Sequence, residues 1–215
     1  MARRMISRTL DAEVPCAWVL ADTVYGSDFA LRSMLEGRGK AYVLAVRSNH
    51  DLAFPGPEGP VKTSPAETAD SLGTDAFSPH AAGAGSKGIR LTDWARFALP
   101  WDCPDGRERW VLVRQSRRDP DKRAYSLVFC PAGTTLAELA GVAGLRWTIE
   151  ECFQRARDDL GLDHCEVRSW HGWHRHMSLV MAAAAFLAKL VADLRRAACS
   201  KRNKRSPNAT IPVLP

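Results

Sequence analysis

Two carboxylates stand at positions where acids can do chemistry. Asp22 closes the apolar run Ala17-Trp18-Val19-Leu20-Ala21 and precedes the turn-forming Tyr25-Gly26 and a helix cap at Ser27 or Asp28. Side chains at the C-terminal end of a buried strand emerge into the crevice above an α/β sheet, where ligands bind. The same position suits an acid that only caps a helical turn, and both readings stay open. Glu150 lies in Thr148-Ile149-Glu150-Glu151-Cys152-Phe153. At about 100° per residue, Ile149, Phe153, Ala156 and Leu160 form a stripe predicted to face a core. Glu150 then sits at the stripe's edge beside Arg157, and Glu151 points to solvent with Asp158. A core-edge carboxylate can meet another arriving from a neighbouring strand, and the two could hold a divalent metal through oxygen ligands. Otherwise Glu150 pairs along its helix with Gln154 or Arg157, which contributes little.

The elements that must position these acids follow from periodicity. Phe29 to Glu36 has helical spacing and stops at Gly37 and Gly39, and Ala41-Tyr42-Val43-Leu44-Ala45-Val46 reads as a second buried strand. Strand, helix, strand predicts a parallel pair. From Arg47 to about Ser86, five prolines and many small residues predict an irregular stretch. Strands are predicted at Ile89 to Leu99, Arg107 to Gln115 and Ala124 to Cys130, the last two joined by a turn at Arg117 to Lys122. Thr135 with Glu138, and Thr148 with Glu151, have capping-box spacing for helices ending near Gly144 and Leu160. A third helix runs from about His174 to Ala198, and Lys201-Arg202-Asn203-Lys204-Arg205 opens a basic tail expected to be unstructured.

Other candidate motifs are weaker. His164, Cys165, His171, His174 and His176 match no zinc module with a paired-cysteine half. Gly83 to Gly88, with Lys87, lacks the spacing and the following helix of a nucleotide phosphate loop. The chain has 215 residues, with 30 Lys and Arg against 24 Asp and Glu, a net charge of +6. Its isoelectric point near 9.2 favours a polyanionic partner such as nucleic acid. Six cysteines without a CxxC pair predict reduced, packed thiols. The apolar run Met177 to Ala188 stops at Lys189, short of the roughly 18 residues that span a bilayer, which predicts no membrane partner. The basic N-terminus leads into Asp11 and Glu13 without an apolar core, which predicts a cytoplasmic location.

Several dispersed segments, in order, carry a family likeness: Ala21-Asp22-Thr23-Val24-Tyr25-Gly26, Tyr42 to Val46, Gly83 to Gly88, Trp94-Ala95-Arg96, Arg146-Trp147-Thr148-Ile149-Glu150-Glu151-Cys152-Phe153-Gln154, and Gly161-Leu162-Asp163-His164 to His176. From near Met1 to about Ala192 the chain resembles the C-terminal half of a bacterial DDE transposase of the insertion-sequence 701 type. The resemblance implies an α/β, partial ribonuclease-H-like fold, its fourth and fifth strands and following helices present, with a β-rich insertion. It implies three carboxylates and two Mg²⁺ (or Mn²⁺) ions that cut and rejoin DNA, with Asp22 as the second aspartate and Glu150 as the glutamate. Arg146 and Glu150 match the signature Tyr-x2-Arg-x3-Glu-x6-Lys, whereas Ala143 and Arg157 stand where its tyrosine and lysine would be. Arg146, Arg157, Lys87, Lys201, Arg202, Lys204 and Arg205 are the expected DNA contacts, at insertion-sequence ends and target. The family's first aspartate has no counterpart, because only Asp11 and Glu13 precede Asp22 and both suit a helix end. The first three strands are accordingly expected to be missing. The expected segments are a partial core over 1–46, a loop and β-rich insertion over 47–131, a helical part over 132–198 and a basic tail over 199–215. This implies a truncated transposase, inactive alone, that associates with itself or with a full-length transposase. The alternative is a non-catalytic DNA-binding or oligomerisation relic.

Overall fold

The six apolar residues Ala41 to Val46 form strand β2, five of them buried, so the strand has no solvent face. That is the pattern of a strand covered on both sides. The computed structural model describes the backbone of residues 1–56, 58–85 and 88–205, in two compact units, 1–147 and 148–215.

In the first unit, helix α1 (Ala2–Asp11) is followed by β1 (Trp18–Ala21), the short α2 (Thr23–Gly26) and α3 (Phe29–Gly37). Asp11 ends α1 as expected, and Arg38 beyond α3 grips Asp11 at 2.5 Å and Ser7 at 2.8 Å. Asp28 caps α3 by accepting the Leu31 N–H at 3.2 Å. The chain then returns through β2, which pairs with β1 in parallel, Val19 opposite Tyr42, as the strand-helix-strand pattern predicts.

The predicted irregular stretch is more ordered than expected. It holds β3 (Leu52–Phe54) and β4 (Val61–Thr63), paired as a two-stranded sheet, and α4 (Pro65–Asp70). Ser64 and Glu67 form a full capping box around α4, and Pro65 occupies its first turn, where a missing N–H is harmless. Next come β5 (Ser78–Gly85), β6 (Gly88–Ala98), β7 (Arg107–Gln115) and β8 (Arg123–Pro131). The sheet order is β1-β2-β8-β7-β6-β5, and every pair except β1 with β2 is antiparallel. The strands of the expected insertion therefore extend the sheet that carries β1 and β2. The result is a mixed α/β unit.

Alternation along the strands sends side chains to two cores. On one face Tyr42, Leu44, Val111, Val113, Leu127 and Phe129 pack with Leu31 and Leu35 of α3. On the other, Val43, Trp94, Leu112, Val128 and Cys130 pack under α5 (Leu136–Gly144) through Leu139 and Ala140. The capping box of Thr135 and Glu138 opens α5 as predicted.

A single 3₁₀ turn, Leu145–Trp147, leads out of α5, and α6 (Thr148–Leu160) begins directly after it. The helix that Thr148 was predicted to open begins at Thr148 itself. The second unit holds α6 and α7 (Trp170–Arg205). Helix α7 runs through Lys201 to Arg205, so the expected unstructured tail is helical there. Over Trp170–Ala198 it is long and apolar enough, by length and composition, to cross a membrane. The apolar run counted to Ala188 is part of this longer apolar helix, so the count of roughly 18 residues does not decide the question. Among the described residues the cysteines are free thiols.

A polar network ties α3 to the sheet. Tyr42 on β2 donates to Glu36 at 2.6 Å, and Arg109 on β7 bridges to the same carboxylate at 2.7 Å. Burial, and next the hydrogen bond to Glu36, raise the Tyr42 phenol well above its ordinary range. The fold therefore holds the neutral phenol, whose contribution is complete below the unfolded pKa of about 10 and is lost as pH rises beyond it. Tyr42→Phe should cost about 1.5–3 kcal/mol at pH 7, the worth of a hydrogen bond to a charged group. In urea unfolding followed from pH 8 to 11, the midpoint of the unsubstituted chain should fall more steeply than that of Tyr42→Phe.

Candidate functional site

Asp22 stands at the end of β1, where it was expected, and there it also caps a helix. Its backbone is extended, and its Oδ1 accepts the Val24 N–H at 3.0 Å, which starts α2. The cap reading is thus observed and occupies one carboxylate oxygen, while the side chain remains exposed to solvent at the strand end. The position of α2 is set at its far end. A β-carbon on Gly26 would lie 1.8 Å from the Ala45 carbonyl oxygen, so only glycine lets this turn rest on β2. Arg32 of α3 donates to the Gly26 carbonyl and closes the turn from the other side.

Arg146 arrives at the same end of the sheet. The 3₁₀ turn that carries it packs against β1, and α5 before it is anchored on β5. There a β-carbon on Gly144 would lie 2.4 Å from the Ala82 carbonyl oxygen. Arg146 and Ala21, the residue before Asp22, line one small cleft on the sheet face that α5 partly covers. Arg114 of β7 lines it as well. It was not among the expected site residues, yet its signal is in the alternation: Trp110, Leu112 and Arg114 share a face, and the third is a cation where an apolar residue would continue the pattern. Burial, and next the charge of Arg146, lower the Arg114 guanidinium below its usual range.

The second unit carries Glu150. It lies in the first turn of α6 and flanks a shallow groove with Phe153, Arg157 and Leu162, so its predicted neighbourhood with Arg157 is observed. The predicted core stripe is not. Ile149 is 55% exposed and Phe153 54%, and only Ala156 of the stripe is buried. An amphipathic stripe is buried only over the length that a partner covers, and within this unit α7 leaves most of it open. Glu150 and Glu151 are both exposed, so the expected difference between them does not distinguish their roles.

The remaining expected contacts divide. Arg157 is exposed beside Glu150. Lys87 lies outside the described residues, as do the side chains of Lys201, Arg202, Lys204 and Arg205. In the histidine-rich segment, His176 bonds the Gly161 carbonyl through Nε2 at 3.0 Å, and His174 meets Trp170 and Trp173 edge-on at 4.2 and 4.9 Å.

Asp22 belongs to the first unit and Glu150 to the second. Among the described residues, no three His, Cys, Asp or Glu side chains gather into a group that could hold a metal ion. The residues described do not by themselves furnish the carboxylate set that the expected Mg²⁺ or Mn²⁺ ions require.

Residues 1–82 match the family model described as DDE superfamily endonuclease. The match takes in β1, Asp22, α2 and β2 and ends within β5, so Arg146 and Glu150 lie beyond it. The likeness to DDE superfamily endonucleases is confined to those residues, the first 82 of 215. No curated protein matches the chain.

Gly26→Ala should disturb the Asp22 turn and little else. Displacing α2 from β2 should cost about 1–3 kcal/mol, in the range of overpacked cores, read as a lowered thermal midpoint. Hydrogen exchange should accelerate at Val24 and Tyr25 more than in β7 or β8.

Proposed function

We propose that this chain is part of a DDE-type transposase of the insertion-sequence 701 kind, contributing Asp22 and Glu150 to phosphodiester cleavage and strand transfer on insertion-sequence DNA. The observation that carries the reading is Asp22: within the segment that matches DDE superfamily endonucleases, it ends the first strand of the parallel pair. Such a strand end presents a side chain above the sheet, where a ligand binds. The cleft beside it brings Arg146, matched to the family signature, to the same end of the unit. Its guanidinium can grip a phosphate through two parallel N–H donors. Glu150 comes from the signature alone. Phosphoryl transfer of this type depends on divalent ions that stabilise the attacking and leaving oxygens. Because only Asp22 and Glu150 match the family's acids, we read the chain as needing a third carboxylate from another polypeptide before it can cut DNA. DNA binding is separate from chemistry and rests on the excess of Lys and Arg.

In Mg²⁺ or Mn²⁺, the purified chain should bind unrelated duplexes with an affinity that falls as salt rises, and should leave them uncut. Supplied with a polypeptide carrying the first three strands of the family's fold, it should nick duplexes bearing the element's ends, and Asp22→Ala or Glu150→Ala should abolish the nicking. Cleavage by the chain alone, lost in those variants, would overturn its silence. Binding indifferent to salt would overturn phosphate-dominated contact with DNA.

A further inference from the structure

The cleft beside Asp22 is cationic. Arg114 enters it from β7 and Arg146 from the 3₁₀ turn after α5, and among the described residues no carboxylate lines it. Among the described residues neither guanidinium has an ion pair or hydrogen bond. Two cations facing one space repel each other, and Arg146 depresses the basicity of Arg114. Trp94 of β6, 3% exposed, forms part of the wall of the same cleft; its indole nitrogen is sealed from solvent and has no acceptor among the described residues. Ser126 of β8 supplies a hydroxyl, while Ala45 and Ala124 keep the floor shallow.

Size and charge define the acceptor. The cleft measures about 70 Å³, far below the roughly 300–1,000 Å³ of sites that enclose whole small molecules. It has room for one compact oxyanion. We propose that the cleft is a single-phosphate site, with Arg114 and Arg146 as the charged grip, the Ser126 hydroxyl as a neutral donor and the Trp94 indole packed in its wall as a reporter. The family resemblance points to Arg146 alone; Arg114, Trp94 and Ser126 come from the fold. Because Ala21 forms part of the wall, the phosphate is held next to the strand end that carries Asp22. That its source is a nucleic-acid phosphodiester rests on the DNA reading above; the alternative source is free phosphate.

Seven tryptophans make a selective test possible. In the full chain labelled with ¹⁵N at the indole nitrogens, Trp94→Phe identifies the Trp94 resonance. Inorganic phosphate, titrated against chloride at matched ionic strength, should shift that resonance saturably. Arg114→Gln and Arg146→Gln should each weaken the response about tenfold or more, and Arg114→Lys should recover part of it, since the charge returns without the fork. The other indole resonances, unchanged between variants, report that each still folds. A Trp94 signal indifferent to phosphate in the unsubstituted chain would overturn the site, whatever the chain does with DNA. In a parallel anisotropy titration on duplex DNA, Arg114→Gln should reduce the salt slope by about one if the phosphate belongs to the nucleic acid. A phosphate response with an unchanged slope assigns the site to free phosphate. A phosphate response in a chain that binds no DNA supports the site and overturns the transposase reading.

Discussion

Strand β2 has neither a free edge nor a wet face. Its edges are taken by β1 and β8, and its side chains divide between a core under α3 and a core under α5. A strand so enclosed cannot shift register by one residue without exchanging its two apolar faces. The position of everything at its C-terminal end is therefore inherited. The Ala45 carbonyl receives the turn that contains Gly26, and that turn in turn fixes the backbone on which Asp22 sits. The acid is itself exposed and polar, yet its location is a consequence of hydrophobic packing one strand away.

The same enclosure explains the cationic cleft. Helix α5 covers Leu112, Val128 and Cys130 but ends at Gly144, where its backbone meets β5. Beyond that end the sheet face carries small residues and Arg114, and the 3₁₀ turn lowers Arg146 beside them. Where a helix ends over a sheet, buried strand residues lose their cover, and the polar side chains there meet solvent and ligand. The two kinds of interaction, apolar under the helix and cationic past its end, fall on alternate residues of β7, Leu112 and Arg114.

Much of this was legible in the sequence because the signals were local. An apolar run that ends in an acid, a capped helix and a second apolar run predicted β1, α3, β2 and the parallel pairing of the two strands, and Thr135 with Glu138 predicted the start of α5. Proline density hid α4, although Ser64 and Glu67 carried the same capping signal as Thr135 and Glu138. Signals that needed a partner failed. The Ile149 and Phe153 stripe predicts burial only if something covers it, and periodicity does not say what does. Arg114 became visible as a site residue only once the topology showed where α5 stops. Lys189 illustrates the opposite error, since one charge interrupts an apolar count without interrupting a helix.

The pairing of β2 also sets a timetable for the ribosome. Tyr42 lies opposite Phe129, 87 positions later (129 − 42). At translation rates of roughly 5–20 residues per second, β2 emerges about 4–17 s before the strand that closes its second edge. During that interval its apolar surface can shelter only against β1 and α3, which leaves one edge able to pair with any extended neighbour. The enclosure that makes β2 the most protected strand of the finished unit is thus completed late in synthesis, when β8 closes its second edge.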